Sequence, residues 1–94
     1  MMSDGSIRVR RRQDVLYRLV ADEALLARAG YDEIALLNGP AAVAWELLSE
    51  PQGFSELVTL LADVYGVAPE SISDDVLRLV AELKERGWLL RDDD

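Results

Sequence analysis

Residues 32–48 read DEIALLNGPAAVAWELL and change their hydrophobic period half-way along. Residues 33–37 are a short apolar run containing β-branched Ile34, which suits a strand. Asn38, Gly39 and Pro40 interrupt it. Asn38 is a good helix N-cap, and Pro40 suits the first helical turn, where its missing N–H costs nothing. From there Ala41, Ala44, Trp45 and Leu48 recur at three- and four-residue spacing. A strand therefore runs through a tight turn into an amphipathic helix. The chain before this junction reads as strand, and the chain after it reads as helix.

Upstream, residues 15–20 (VLYRLV) are rich in strand formers, with Val15, Tyr17 and Leu19 on one face and Leu16, Arg18 and Val20 on the other. Residues 21–23 make a turn. Residues 24–28 make a second strand, although Ala-Leu-Leu-Ala has the better propensity for helix. Residues 29–32 turn the chain into the strand at 33–37. Three short strands with short loops predict a small antiparallel sheet.

Downstream, the first helix is predicted over residues 40–49, ended by Pro51. The second spans residues 54–65, with Gly53 as N-cap, Glu56 in the first turn and Gly66 just past the end. Its expected inner stripe is Phe54, Leu57, Leu61, Val64 and Tyr65. The third helix begins at residues 69–71 and reaches Arg86. Ile72, Val76, Leu79, Val80 and Leu83 give it the clearest helical stripe in the chain. Gly87 caps it, and Trp88-Leu89-Leu90 is a last strand-like piece. Trp45 and Trp88 lie on apolar stripes and are expected in the core.

The chain has 94 residues, enough for one domain, with a net charge of −8. The charge is uneven. Residues 1–30 hold six arginines against four acids, and residues 31–94 hold four basic groups against fourteen acids. There is no cysteine and no histidine, which removes thiolate chemistry and the commonest general base and metal ligand. No serine or threonine has a histidine to activate it. Asp74 and Asp75 are adjacent and do not face each other on a helix. No glycine-rich phosphate loop is present. The residues therefore name no catalytic group, no metal site and no cofactor. No run approaches the roughly 20 apolar residues that span a bilayer, and the N-terminus is not a signal peptide, so the cytoplasm is the expected location and no membrane the expected partner.

Residues 7–12 alternate weakly and could be extended. They are nevertheless read as part of a flexible basic arm over residues 1–12, with residues 1–6 disordered, a folded domain at 13–91 and an acidic tail at 92–94. Three helices with a small sheet suggest an α+β winged helix-turn-helix. The third helix has the wrong charge for DNA, because Asp74, Asp75, Glu82 and Glu85 outnumber Arg78, Lys84 and Arg86. A nucleic-acid-binding regulator is thus the weaker reading.

The order of these features carries a resemblance. A strand ends in Leu37-Asn38 and is followed by Ala41-Ala42 and Trp45. Glu56-Leu57 opens the second helix, and Tyr65-Gly66-Val67 closes it. Asp75-Val76 opens the third helix, and Leu83 to Gly87-Trp88-Leu89 closes it. Together, over residues 15–90, these resemble the PqqD family, the peptide-binding domains called RiPP recognition elements. The resemblance implies a winged helix-turn-helix with a three-stranded antiparallel N-terminal sheet followed by three helices. It implies a non-catalytic domain that takes the leader segment of a ribosomally made precursor peptide as an added strand and presents it to maturation enzymes. Carried over, the receiving strand is Asp32, Glu33, Ile34, Ala35, Leu36 and Leu37. The facing helix contributes Asp75, Val76, Leu79, Glu82, Leu83 and Arg86. Of the alternating strand residues, one pair (Ile34 and Leu36, or Ala35 and Leu37) packs on the core. The other is expected to line a groove with Leu79 or Leu83. Asp75 and Glu82 would favour basic leaders. Residues 8–12 replace the proline-led opening of quinone-pathway members, which points to a lasso-peptide pathway with a leader peptidase or cyclase. A peptide chaperone for a radical-SAM enzyme is the alternative.

Overall fold

The computed structural model describes residues 8–28, 30 and 32–92. Expectations for residues 1–6 and for Asp93 and Asp94 lie outside the described residues. The elements are β1 (Arg8–Arg11), β2 (Val15–Val20), β3 (Glu23–Arg28), β4 (Ile34–Asn38), α1 (Pro40–Leu47), β5 (Gln52–Gly53), α2 (Phe54–Tyr65), α3 (Pro69–Glu85) and β6 (Leu89–Arg91). They form two three-stranded antiparallel sheets and three helices, an α+β architecture.

The first sheet has the order β2-β3-β4, as the alternation along residues 15–37 predicts. Its register places Tyr17, Leu26 and Ala35 side by side, with Leu19, Ala24 and Leu37 in the next row. This face turns inward: Ala24, Leu26, Ala35 and Leu37 are buried. The opposite face carries Leu16, Leu25, Ile34 and Leu36, all exposed. Strand side chains alternate between faces, so one register decides both sets. Ala21 turns the β2–β3 hairpin with φ +57°, the only described non-glycine residue with positive φ.

The second sheet, in the order β5-β1-β6, is a correction at residues 8–11 to the flexible arm expected over residues 1–12. Residues Arg8–Arg11 are its central strand. Val9 pairs with Gln52 on one side and Arg91 on the other, and only 7% of it is exposed. Asp92 N–H donates to the Arg8 carbonyl at 2.8 Å, tying the start of the acidic tail to the same strand. Two neighbours from distant parts of the chain supply the backbone partners that a solvated arm would lack.

The helices follow their periodicities with three adjustments. Asn38 is the last residue of β4, and the N-cap of α1 is Gly39, at φ +57°, a region glycine enters freely. The helix also stops at Leu47, whose carbonyl accepts from the Gln52 side chain at 3.3 Å. In α2 the Gly53 N–H donates to Glu56 Oε1 at 2.9 Å, as a first-turn acid should accept. Its buried stripe is Leu57, Val58, Leu61 and Ala62, while Val64 and Tyr65 are exposed, so the helix is rotated from the expected face. In α3, Val76, Val80 and Leu83 are buried, with Ile72 and Leu79 packed against them. Trp45 and Trp88 both lie in the core with Leu26, Leu57, Leu61 and Leu89. Each such side chain stabilises the fold by about 1.5–3 kcal/mol relative to exposure. Among the described residues no helix is long and apolar enough to cross a membrane.

Candidate functional site

Among the described residues β4 is an edge strand: it pairs with β3 alone. The register also decides which of its backbone groups are free. Val20 and Glu23 close a two-residue hairpin, and such a closing pair bonds across the hairpin. Hydrogen-bonded and non-bonded pairs alternate along antiparallel strands. Counting from Val20–Glu23, Ala24 and Leu26 turn their backbone groups to their β4 partners, Leu37 and Ala35. The N–H and C=O groups of Ile34, Leu36 and Asn38 therefore face the open edge. An unpaired edge of this kind is a template for another strand.

α3 runs antiparallel to this edge. At one end, Arg86 reaches Glu33 at 3.5 Å. At the other, Pro40, which follows β4, shares a cleft of about 170 Å3 with Tyr65, Ile72, Asp75, Val76 and Leu79. Between these ends Asp75, Leu79, Glu82 and Arg86 recur at four, three and four residues, along one side of the core stripe. The Glu33–Arg86 contact and the cleft beyond Pro40 thus bring α3 close to both ends of β4.

Ten of the twelve expected site residues divide into three groups. Glu33 and Arg86 meet, and Asp75, Val76 and Leu79 are brought together in the cleft. Ala35, Leu37 and Leu83 are core residues at 3%, 6% and 2% exposure. Ile34 and Leu36 lie on the outer face of the sheet, away from the core that α3 shares with Ala35 and Leu37. The expectation that the exposed pair lines a groove with Leu79 or Leu83 is therefore corrected. Of the two leucines, Leu79 is the partly exposed one and Leu83 is buried. Asp32 is exposed just ahead of the strand. Pro40, Tyr65 and Ile72 are lining residues that sequence reasoning left out. Ile72 on the third-helix stripe and Tyr65 on the expected second-helix stripe were the signals available.

The acidic flank is partly answered within the chain. Asp75 pairs with Arg78 at 3.2 Å and Glu33 with Arg86, all on exposed surface. Glu82 has no ion-pair partner among the described residues. Among those residues no three His, Cys, Asp or Glu side chains gather as a metal site.

Residues 23–89 match the model of the family described as coenzyme PQQ synthesis protein D (PqqD). Among solved structures, TbiB1 in complex with the TbiA(beta) leader peptide is similar with a TM-score of 0.75 and 20% identity, over 85% of this chain and 93% of that one. The PqqD truncation of Methylobacterium extorquens PqqCD, described as a functional and stand-alone RiPP recognition element, has a TM-score of 0.72 and 20% identity. That likeness covers 97% of this chain and 96% of the other. At this identity the two likenesses speak for the fold. No curated protein matches the chain by sequence.

Proposed function

The chain belongs to the PqqD family, and from that premise we propose that it is a non-catalytic RiPP recognition element, which captures the leader segment of a ribosomally made precursor peptide by strand addition along β4. The observation that carries this reading is the open β4 edge lying antiparallel to α3, with Glu33–Arg86 at one end and the Pro40–Leu79 cleft at the other. Main-chain bonds to Ile34, Leu36 and Asn38 would give affinity, and a side chain seated against Leu79, Val76 and Ile72 would set the register. The leader-bound form of TbiB1, whose fold this chain shares, supports the same reading.

In this reading the domain is a winged helix-turn-helix whose wing is the β2-β3-β4 sheet. It works in the cytoplasm, where precursor peptides are made. It hands its cargo to a maturation enzyme, for which a lasso-type leader peptidase or cyclase is the first candidate. The ground for that choice is the arginine-rich stretch at residues 8–12.

Calorimetric titration with the leader segment of the precursor peptide encoded beside the gene tests the proposal. Saturable binding is expected, with amide shifts concentrated at residues 33–38 and along α3. Binding without shifts in β4 would overturn the strand-addition mode, and no binding would overturn the leader as ligand.

A further inference from the structure

The β2-β3-β4 sheet has a second open edge. Among the described residues β2 pairs only with β3, and the same register turns the backbone groups of Val15, Tyr17 and Leu19 outward. All six residues of β2 except Val15 are exposed, Leu16 to 69% and Val20 to 56%. A six-residue edge with no proline and one charge has little to keep another strand away.

Beside this edge is a cleft of about 550 Å3, whose lining includes Arg10, Arg11, Arg12, Val15, Tyr17 and Trp45. Arg11 is stacked in place. Its guanidinium carbon lies 4.8 Å from the Tyr17 ring centre and 5.1 Å from that of Trp45. The two rings meet edge-to-face at 5.7 Å. Arg11 Nη1 also donates to the Trp45 carbonyl at 3.3 Å. A guanidinium held this way has already lost its rotamer freedom, so an anion that binds it pays less ordering entropy.

The acids around the cleft leave donors open. Asp14 accepts a hydrogen bond from Arg12 at 2.9 Å. Asp92 stands 3.7 Å from Arg10 and Glu46 4.0 Å from Arg11, both beyond hydrogen-bond length. A guanidinium carries five N–H donors, so Arg10 and Arg11 keep several for an incoming carboxylate. The cleft also sits in the basic third of an acidic chain. Residues 1–30 carry two more positive than negative charges, while the remainder carries ten more negative than positive. An acidic segment is repelled elsewhere and drawn here.

We propose that the β2 edge and the arginine cleft form a second strand-addition site, which takes an extended segment of a partner protein with carboxylates at alternate positions. Alternate side chains of an added strand share a face. Val15 and Tyr17 both line the cleft, so the inward-facing positions of the added strand reach the arginines. β3 separates this edge from β4, and the two sites can be filled together. The domain then holds cargo on one edge and docks through the other.

The test uses a short synthetic peptide alternating threonine and glutamate, and its threonine–glutamine counterpart, titrated into the isotope-labelled protein. Amide shifts at Val15, Tyr17 and Leu19 are expected with the glutamate peptide, with binding at least about tenfold tighter than the glutamine peptide and weakened by salt. Arg10→Gln with Arg12→Gln should lose about the same factor. Leu19→Pro, which removes an outward N–H and leaves the β3 ladder intact, provides a second variant should the arginine pair disturb folding. Shifts at β4 instead of β2, equal binding of the two peptides, or no binding would overturn the proposal. So would tighter binding of a single-stranded oligonucleotide, which would assign the cleft to nucleic acid.

Discussion

Glu33 and Arg86 are 53 residues apart in sequence and meet at 3.5 Å, joining the foot of β4 to the end of α3. Both side chains are about two-fifths exposed, at 42% and 40%. Exposed pairs of this kind stabilise a fold by less than about 1 kcal/mol. The value of the contact is its position, because it links the start of β4 to the end of α3.

Arg86→Gln should therefore leave stability within about 0.5 kcal/mol of wild type in urea denaturation. Leader affinity should fall a few-fold, since the two walls are no longer held at that end. A loss of stability above about 2 kcal/mol would show that the pair is part of the framework rather than of the groove.

Proline scanning separates the two edges of β4. The Leu36 N–H faces the open edge and the Ala35 N–H faces β3. Leu36→Pro should fold, unfold cooperatively and lose leader affinity by about tenfold or more, because a docking donor is gone. Ala35→Pro breaks the ladder inside a buried row and should destabilise by about 3 kcal/mol or more. Circular dichroism with thermal melting checks the folds, and calorimetry checks the affinities. The reverse pattern would invert the assigned register.

Ala21 holds a positive φ of 57° in the β2–β3 turn, where the first central residue of a type II′ turn is ordinarily glycine. A left-handed alanine costs about 1–2 kcal/mol, and glycine loses about 0.5–1 kcal/mol more backbone entropy on folding. Ala21→Gly should therefore gain about 0.5 kcal/mol, raising Tm by roughly 2–4 °C. A fall in Tm on calorimetry would show that the alanine is unstrained.

What was legible in the sequence was local. The α3 stripe Ile72, Val76, Leu79, Val80 and Leu83 repeats within one helix, and α3 forms where it predicts. The alternation of residues 15–37 gave three strands in the right places because each pairs with its sequence neighbour. The β5-β1-β6 sheet was hidden because β1 finds its partners at Gln52–Gly53 and Leu89–Arg91. In Arg8–Arg11 only Val9 is apolar, and nothing local marks it as buried. At the site, alternation revealed two faces of β4 but not which one turns inward. That depends on Ala24 and Leu26 in β3. Likewise Leu79 and Leu83 share a stripe, and only the packing of α3 shows Leu83 at 2% exposure with Leu79 left accessible in the cleft.

Charge reversal on α3 tests the electrostatic side of the groove. Asp75 and Glu82 lie on the side of α3 that flanks β4, and both are exposed. Asp75 pairs with Arg78 at 3.2 Å between side chains about three-quarters exposed, so its loss should scarcely affect folding. Asp75→Lys with Glu82→Lys should leave the thermal transition nearly unchanged. Against a leader carrying Lys or Arg, affinity should fall by about 1–2 kcal/mol, roughly five- to thirtyfold. The loss should shrink at high salt, because exposed charges are screened within a Debye length of about 10 Å at 0.1 M. Against a leader with the basic residues replaced by glutamine, the double variant and wild type should bind alike. The measurement is calorimetry of both proteins with both peptides at two ionic strengths. A loss that persists with the glutamine leader would mean that the lysines block the groove sterically. Equal affinities throughout would remove Asp75 and Glu82 from the site and leave recognition to the β4 backbone and the apolar cleft at Leu79.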